Sequence, residues 1–135
     1  MKKDIPFLPV EGINIAIIRQ LESPGVYSWS VYLLNKNTFT IESVFVSSKG
    51  YGYDKEGEKQ ETSTLRHHFA SIAAGKFELV EPIDPSVFHL TNEYWVSYFV
   101  NNQVFDKKFI FVPDTLVETN VIHIPHLNME GVLHP

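Results

Sequence analysis

Apolar and polar side chains alternate along most of this chain in short runs, and each run ends in glycine, proline or asparagine. A period of two places every second side chain on the same face of an extended backbone, so the pattern predicts strands rather than helices. Residues 13–19 form the first run, bounded by Gly12 and the turn Ser23-Pro24-Gly25. Within 26–34, Tyr27, Trp29, Val31 and Leu33 share one face, and Ser28 and Ser30 take the other. Within 39–47, Val44 and Val46 alternate with Ser43, Phe45 and Ser47. The short turn Asn35-Lys36-Asn37-Thr38 joins these two runs, so a hairpin is expected there. Residues 93–100 and 104–112 make a second expected hairpin, because asparagine at 101 and 102 tolerates the positive φ of a tight turn. Residues 117–124 supply a last strand, ended by Pro125.

Two segments depart from this rhythm. Residues 49–62 contain Gly50, Gly52 and Gly57 and an almost wholly polar stretch over 54–61, which reads as a mobile surface loop. In 65–74, Leu65, His67 and Phe69 suit a strand that turns through 73–76 into 77–81. The alternative is a short helix over 64–74, with Ser63 or Thr64 as its cap and Gly75 as its stop. The strand is preferred, given β-rich neighbours on both sides. Pro82 and Pro85 cannot continue a ladder and mark a turn. Residues 1–11, with Pro6 and Pro9, read as an N-terminal arm.

About seven strands with regular turns, in one domain spanning 1–135, imply two packed antiparallel sheets: an all-β sandwich. Tyr94 stands two residues before the inward position Val96, the spacing of a tyrosine corner, and Trp29 is placed to serve as a core tryptophan. Both favour an immunoglobulin-like arrangement.

Composition narrows the function classes. At 135 residues and 44% apolar content the chain can bury a core without staples. The absence of cysteine excludes disulfides, thiolate metal sites and cysteine nucleophiles. A formal charge of −5 gives no general attraction to phosphate backbones, so nucleic-acid binding is not expected. No apolar run approaches the ~20 residues of a membrane-spanning helix. Asp4, Pro6, Pro9 and Glu11 interrupt any apolar core of a signal peptide, and a cytoplasmic protein is expected.

Val46-Ser47-Ser48-Lys49-Gly50, Leu65-Arg66-His67-His68-Phe69 and Asn92-Glu93-Tyr94-Trp95-Val96-Ser97-Tyr98-Phe99 resemble segments of a family of small, uncharacterised bacterial proteins. Asp106-Lys107-Lys108-Phe109 and Gly131-Val132-Leu133 are similar too, so the likeness runs through most of the chain. Some members are labelled phenylalanyl-tRNA synthetase chains. A class II synthetase needs a large antiparallel sheet with arginines that clamp ATP, which a chain of this length and pattern cannot supply. The resemblance implies no activity and no site residues.

Candidate chemistry is sparse. No phosphate loop, nucleophile elbow, dinucleotide fingerprint or H-E-x-x-H is present in the sequence. His67 and His68 are adjacent and diverge on either a strand or a helix; His123 and His126 flank Pro125, where with Glu130 they could share a metal on a loop. These four histidines carry the alternative of a metal-binding protein or metal-dependent enzyme. The glycine-rich Ser47-Ser48-Lys49-Gly50-Tyr51-Gly52 is read as turn chemistry rather than an anion nest, given the acidic stretch behind it. The strand around Trp95, Tyr98 and Phe99 carries rings on both faces, so it is either buried twice or meets a partner. Tyr51 and Tyr53 have the amphipathic character of interface residues. The expectation is therefore a non-catalytic protein-interaction or scaffold domain, without a cofactor. It would bind a protein partner or itself through Tyr51, Tyr53, Trp95 and Tyr98. A nucleic-acid accessory role ranks third.

Overall fold

A computed structural model describes residues 8–134, so most of the arm expected over 1–11 lies outside the described residues. Alternation is realised as ten strands in two antiparallel sheets, an all-β sandwich. In the first sheet the order is β6-β2-β1-β10-β9, with β1 at Ile13–Ser23, β2 at Val26–Asn35, β6 at Phe77–Pro82, β9 at Ile122–Ile124 and β10 at Met129–His134. The second sheet runs β3-β7-β8, with β3 at Ile41–Tyr53, β7 at Thr91–Val100 and β8 at Gln103–Phe111. Two further strands, β4 at Lys59–Glu61 and β5 at Leu65–Ile72, lie in line along the free side of β3. Among the described residues no helix is long and apolar enough to cross a membrane.

Side-chain parity builds the core. Ile15 and Ile17 of β1 and Val31 and Leu33 of β2 face Val44, Val46, Tyr94, Val96, Tyr98, Phe109 and Phe111 of the second sheet. The intervening residues of β1, Ala16 and Ile18, point the other way, and they too are buried. Ile124 and Leu127, at the turn of the β9–β10 hairpin, join them and Leu34 in a second apolar cluster on the outside of the first sheet. The chain thus covers the centre of this outer face with its own side chains and leaves Phe77, Leu79 and Ile122 exposed on the flanking strands.

Several expectations hold and several are corrected. Residues 65–72 form a strand, not a helix. The β7–β8 hairpin closes through Asn101 and Asn102, both at positive φ (50° and 63°), as a tight turn between right-twisted strands requires. The expected hairpin across 35–38 does not form: β2 pairs with β1 and β6, β3 pairs with β4, β5 and β7, and the segment between them crosses from one sheet to the other. Residues 73–76 make a second crossing, from β5 to β6, at the same end of the sandwich.

Asn35 joins these two crossings. Its side chain is buried; Nδ2 donates to the carbonyls of Phe39 (2.9 Å), Ile72 (3.1 Å) and Ala73 (3.3 Å), and Oδ1 accepts from the backbone N–H of Asn37. Its own N–H donates to Lys76 O. One amide therefore satisfies backbone groups of both corners, which buried turns need.

The segment 49–62 is extended and paired over much of its length rather than a loop throughout. β3 continues to Tyr53 and pairs with β4 through Tyr51↔Glu61 and Tyr53↔Lys59. Asp54 closes the turn by accepting from the N–H groups of Glu56 and Glu58, and Gly57 supplies the positive φ. At the other end of the chain, only Ile122–Ile124 of the expected last strand is extended, preceded by a 3₁₀ turn at Glu118–Asn120. β10 was not foreseen. It inserts beside β1, so that Ile15 pairs with His134, and Asn14 Nδ2 reaches His134 O across 120 residues of chain.

Candidate functional site

The second sheet has an outer face that nothing in the described chain covers. On β7, the parity that turns Tyr94, Val96 and Tyr98 inward turns Trp95, Ser97 and Phe99 outward. The register then fixes the rest of the face. Arg66, Ser47, Trp95 and Lys108 lie in one row across β5, β3, β7 and β8. His68, Phe45, Ser97 and Asp106 form the next. Phe99 and Val104 continue the face beyond them. Phe45 is 51% exposed and Trp95 46%, and Phe99 and Val104 are comparably open. Between the two aromatic side chains the serines leave a shallow hollow of about 460 Å³, lined by Phe45, Ser47, Arg66, Trp95, Ser97 and Asp106. Lys108 Nζ lies 4.9 Å from the centre of the Trp95 ring, and His68 stacks at 4.5 Å on Phe45.

At the end of this face nearer the β3–β4 turn, Glu93 is buried although it points outward. Its carboxylate accepts from the Tyr51 hydroxyl (3.3 Å) and lies 4.0 Å from Lys49 Nζ. Burial, and then the neighbouring carboxylate, hold the Tyr51 phenol above its ordinary pKa. Tyr53, 68% exposed, stands beyond it on the last residue of β3.

The four expected interface residues thus separate. Trp95 is central to the open face, Tyr51 forms its rim and Tyr53 lies at its far end. Tyr98 belongs to the core: it is 3% exposed and stacks on Phe105 at 5.3 Å. An odd separation from Trp95 puts it on the opposite side of the strand. Tyr94, the expected tyrosine corner, is also inside, edge-on to Phe111, and among the described residues its hydroxyl makes no hydrogen bond to upstream backbone. Trp29 is only partly buried and packs against Phe88 at the side of the core.

Burial pushes the Tyr98 phenol up to about 12, and burial together with Glu81 raises Tyr94 further still. A folded-state pKa above the unfolded value of ~10 leaves stability intact below pH ~10 and removes it as pH climbs through the folded value. Melts followed by circular dichroism and tyrosinate absorbance are expected to show the melting temperature falling between about pH 10 and 12, less steeply in Tyr98→Phe. All six tyrosines titrating together near pH 10, with the fold intact, is the contrary result.

A second polar constellation lies in a cleft of about 250 Å³ where the edges of the two sheets meet. Glu81 of β6 receives the Ser48 hydroxyl (2.8 Å) and shares a 2.6 Å hydrogen bond with His67 Nε2, both on Oε1. Serine and histidine meet the carboxylate rather than each other, so His67 is not placed to activate Ser48 as a nucleophile. The arrangement braces the first sheet to the second.

The candidate metal ligands are not brought together. His67 is bonded to Glu81, His68 lies on the outer face of the second sheet, His123 is opposite Glu130 on the β9–β10 hairpin, and His126 packs edge-on to Phe77. Among the described residues no group of three histidine, aspartate or glutamate side chains could hold a metal ion. Sequence reasoning missed Phe45, Arg66, Val104, Asp106 and Lys108 as members of one surface. Their alternation was visible, but the cross-strand register that assembles them was not. No protein-family model matches the chain, and no curated protein matches it significantly.

Proposed function

We propose that this chain is a non-catalytic protein-interaction domain of immunoglobulin-like build that acts through the outer face of its second sheet. The supporting observation is an asymmetry. Ile124 and Leu127 cover the middle of the first sheet's outer face and leave Phe77, Leu79 and Ile122 exposed only on its outer strands. The second sheet, by contrast, carries Phe45, Trp95, Phe99 and Val104 in the open across its central strands and β8. A contiguous aromatic face on a folded domain favours a protein partner, since aromatic side chains give the most binding area for the least lost freedom. The immunoglobulin-like reading is supported by strand order. β1-β2-β6 opposite β5-β3-β7-β8 corresponds to A-B-E opposite C′-C-F-G, with β9 and β10 added beside β1.

Trp95→Ser and Phe45→Ser are expected to keep the fold, shifting stability by no more than about 1 kcal/mol, while weakening association at least tenfold. Thermal melts and native mass spectrometry check the two halves. Association that survives both substitutions, or a loss of stability typical of a core aromatic, overturns the reading.

A further inference from the structure

We infer that the occupant of this face is a second copy of the chain, bound about a two-fold axis that runs between the two copies, parallel to the sheet and across its strands. The inference rests on the interaction reading above and specifies the partner. Such an axis lays each strand over its own counterpart and exchanges the two central rows, as a self-complementary interface requires. Trp95 then faces Ser97 of the second copy, and Phe45 faces its Ser47. Each large ring thereby meets a small side chain at the rim of the 460 Å³ hollow. On β8 the same exchange sets Lys108 against Asp106 of the second copy, and Asp106 against its Lys108. Among the described residues Asp106 has no hydrogen-bond or ion-pair partner and Lys108 has no ion pair, its ammonium lying over the Trp95 ring. Farther out, Val104 meets Ile110, an apolar pair on two half-exposed positions.

On the central strands β3 and β7 and on β8, ring meets small side chain and opposite charges meet under one operation, while on β5 it sets Arg66 beside His68 of the second copy. The size of the face suits a small interface. Four strands about 4.8 Å apart and about eight residues long span on the order of 500 Å² in projection, more once the side-chain relief is counted. A standard interface buries ~800 Å² per partner.

The decisive experiment uses the whole chain and two charge reversals, Asp106→Lys and Lys108→Glu, by sedimentation velocity. Wild type is expected to be dimeric. Each single variant sets like charges together twice across the axis, and its dissociation constant should rise at least tenfold. An equimolar mixture of the two should recover the dimer, because each variant complements the other. Both positions are exposed, and unchanged circular dichroism melts confirm that folding is untouched. A wild type that stays monomeric at millimolar concentration overturns the second-copy inference, as do single variants that dimerise normally or a mixture that stays monomeric. The broader reading survives such a failure if native mass spectrometry finds a different protein whose binding is lost in Trp95→Ser, and falls with it if Trp95→Ser changes no association at all.

Discussion

Asn35→Asp will leave the domain largely unfolded at neutral pH. The substitution keeps shape and volume but turns the donor Nδ2 into a carboxylate oxygen facing three carbonyls, those of Phe39, Ile72 and Ala73, within 2.9–3.3 Å. Each unsatisfied buried carbonyl costs about 1–3 kcal/mol, and a buried charge more, so a loss on the order of 5 kcal/mol is expected. That rivals the whole stability of an ordinary domain. The pH dependence follows from the same geometry. One oxygen keeps the Asn37 donors, but the other faces three carbonyls in a buried site, so the introduced carboxyl has a folded-state pKa above its unfolded value of ~3.9. Its penalty is therefore small below that pH and grows as pH rises through it. Relative to wild type at each pH, the variant should recover under acid conditions. Asn35→Ala, which removes the donor without adding charge, should cost about 3 kcal/mol and show no such recovery. Matched urea melts at pH 4 and pH 7 separate the two; an Asp variant that behaves like the Ala variant at pH 7 contradicts the assigned orientation of the amide.

The second large effect belongs to Gly131. It pairs with Ile18 in the β10–β1 ladder, and a Cβ built there would lie 2.4 Å from the carbonyl oxygen of Ile17 and 2.8 Å from Ile18 Cδ1. The isoleucine tip can turn aside, but the backbone oxygen cannot move without parting the two strands. Gly131→Ala should therefore cost roughly 3 kcal/mol, lowering the melting temperature by about 10 °C. Amide exchange of residues 15–19 should speed up more than that of β7. A change within 1 kcal/mol of wild type in urea melts would falsify the close approach.

How much of this was legible in the sequence depends on the kind of information each feature needs. Alternation marked β1, β2, β7 and β8. On β2 it also assigned the faces, because Val31 and Leu33 could point to only one side if Ser28 and Ser30 pointed to the other. On β7 the rings at both parities misplaced Tyr98. The Asn101-Asn102 turn was legible because its backbone demands a residue that accepts positive φ. Sheet membership was hidden. Asn35-Lys36-Asn37-Thr38 has hairpin composition, and only the distant contacts of Asn35 make it a crossing. The 49–62 segment was misread by its polarity, although Asp54 and Gly57 carried a turn signal that a count of charges overlooks. β10 was invisible for a related reason: Gly131 looks like a break in a strand until the nearness of Ile17 explains it. For the site, Trp95 could be singled out from its strand alone. Arg66, Asp106 and Phe45 join it through pairings that span separate hairpins, which no local pattern encodes.

The place of β10 beside β1 also sets a clock on the ribosome. β1 gains its first neighbour within a few residues, as β2 follows it, but the contact between Asn14 and His134 awaits 120 further residues. At roughly 5–20 residues per second this is on the order of ten seconds, during which the newborn chain displays Ile15 and Ile17 along an unpaired strand edge. That interval, rather than the finished molecule, is when the protein is most exposed to aggregation, and slowing translation over its last third should lower the yield of soluble chain.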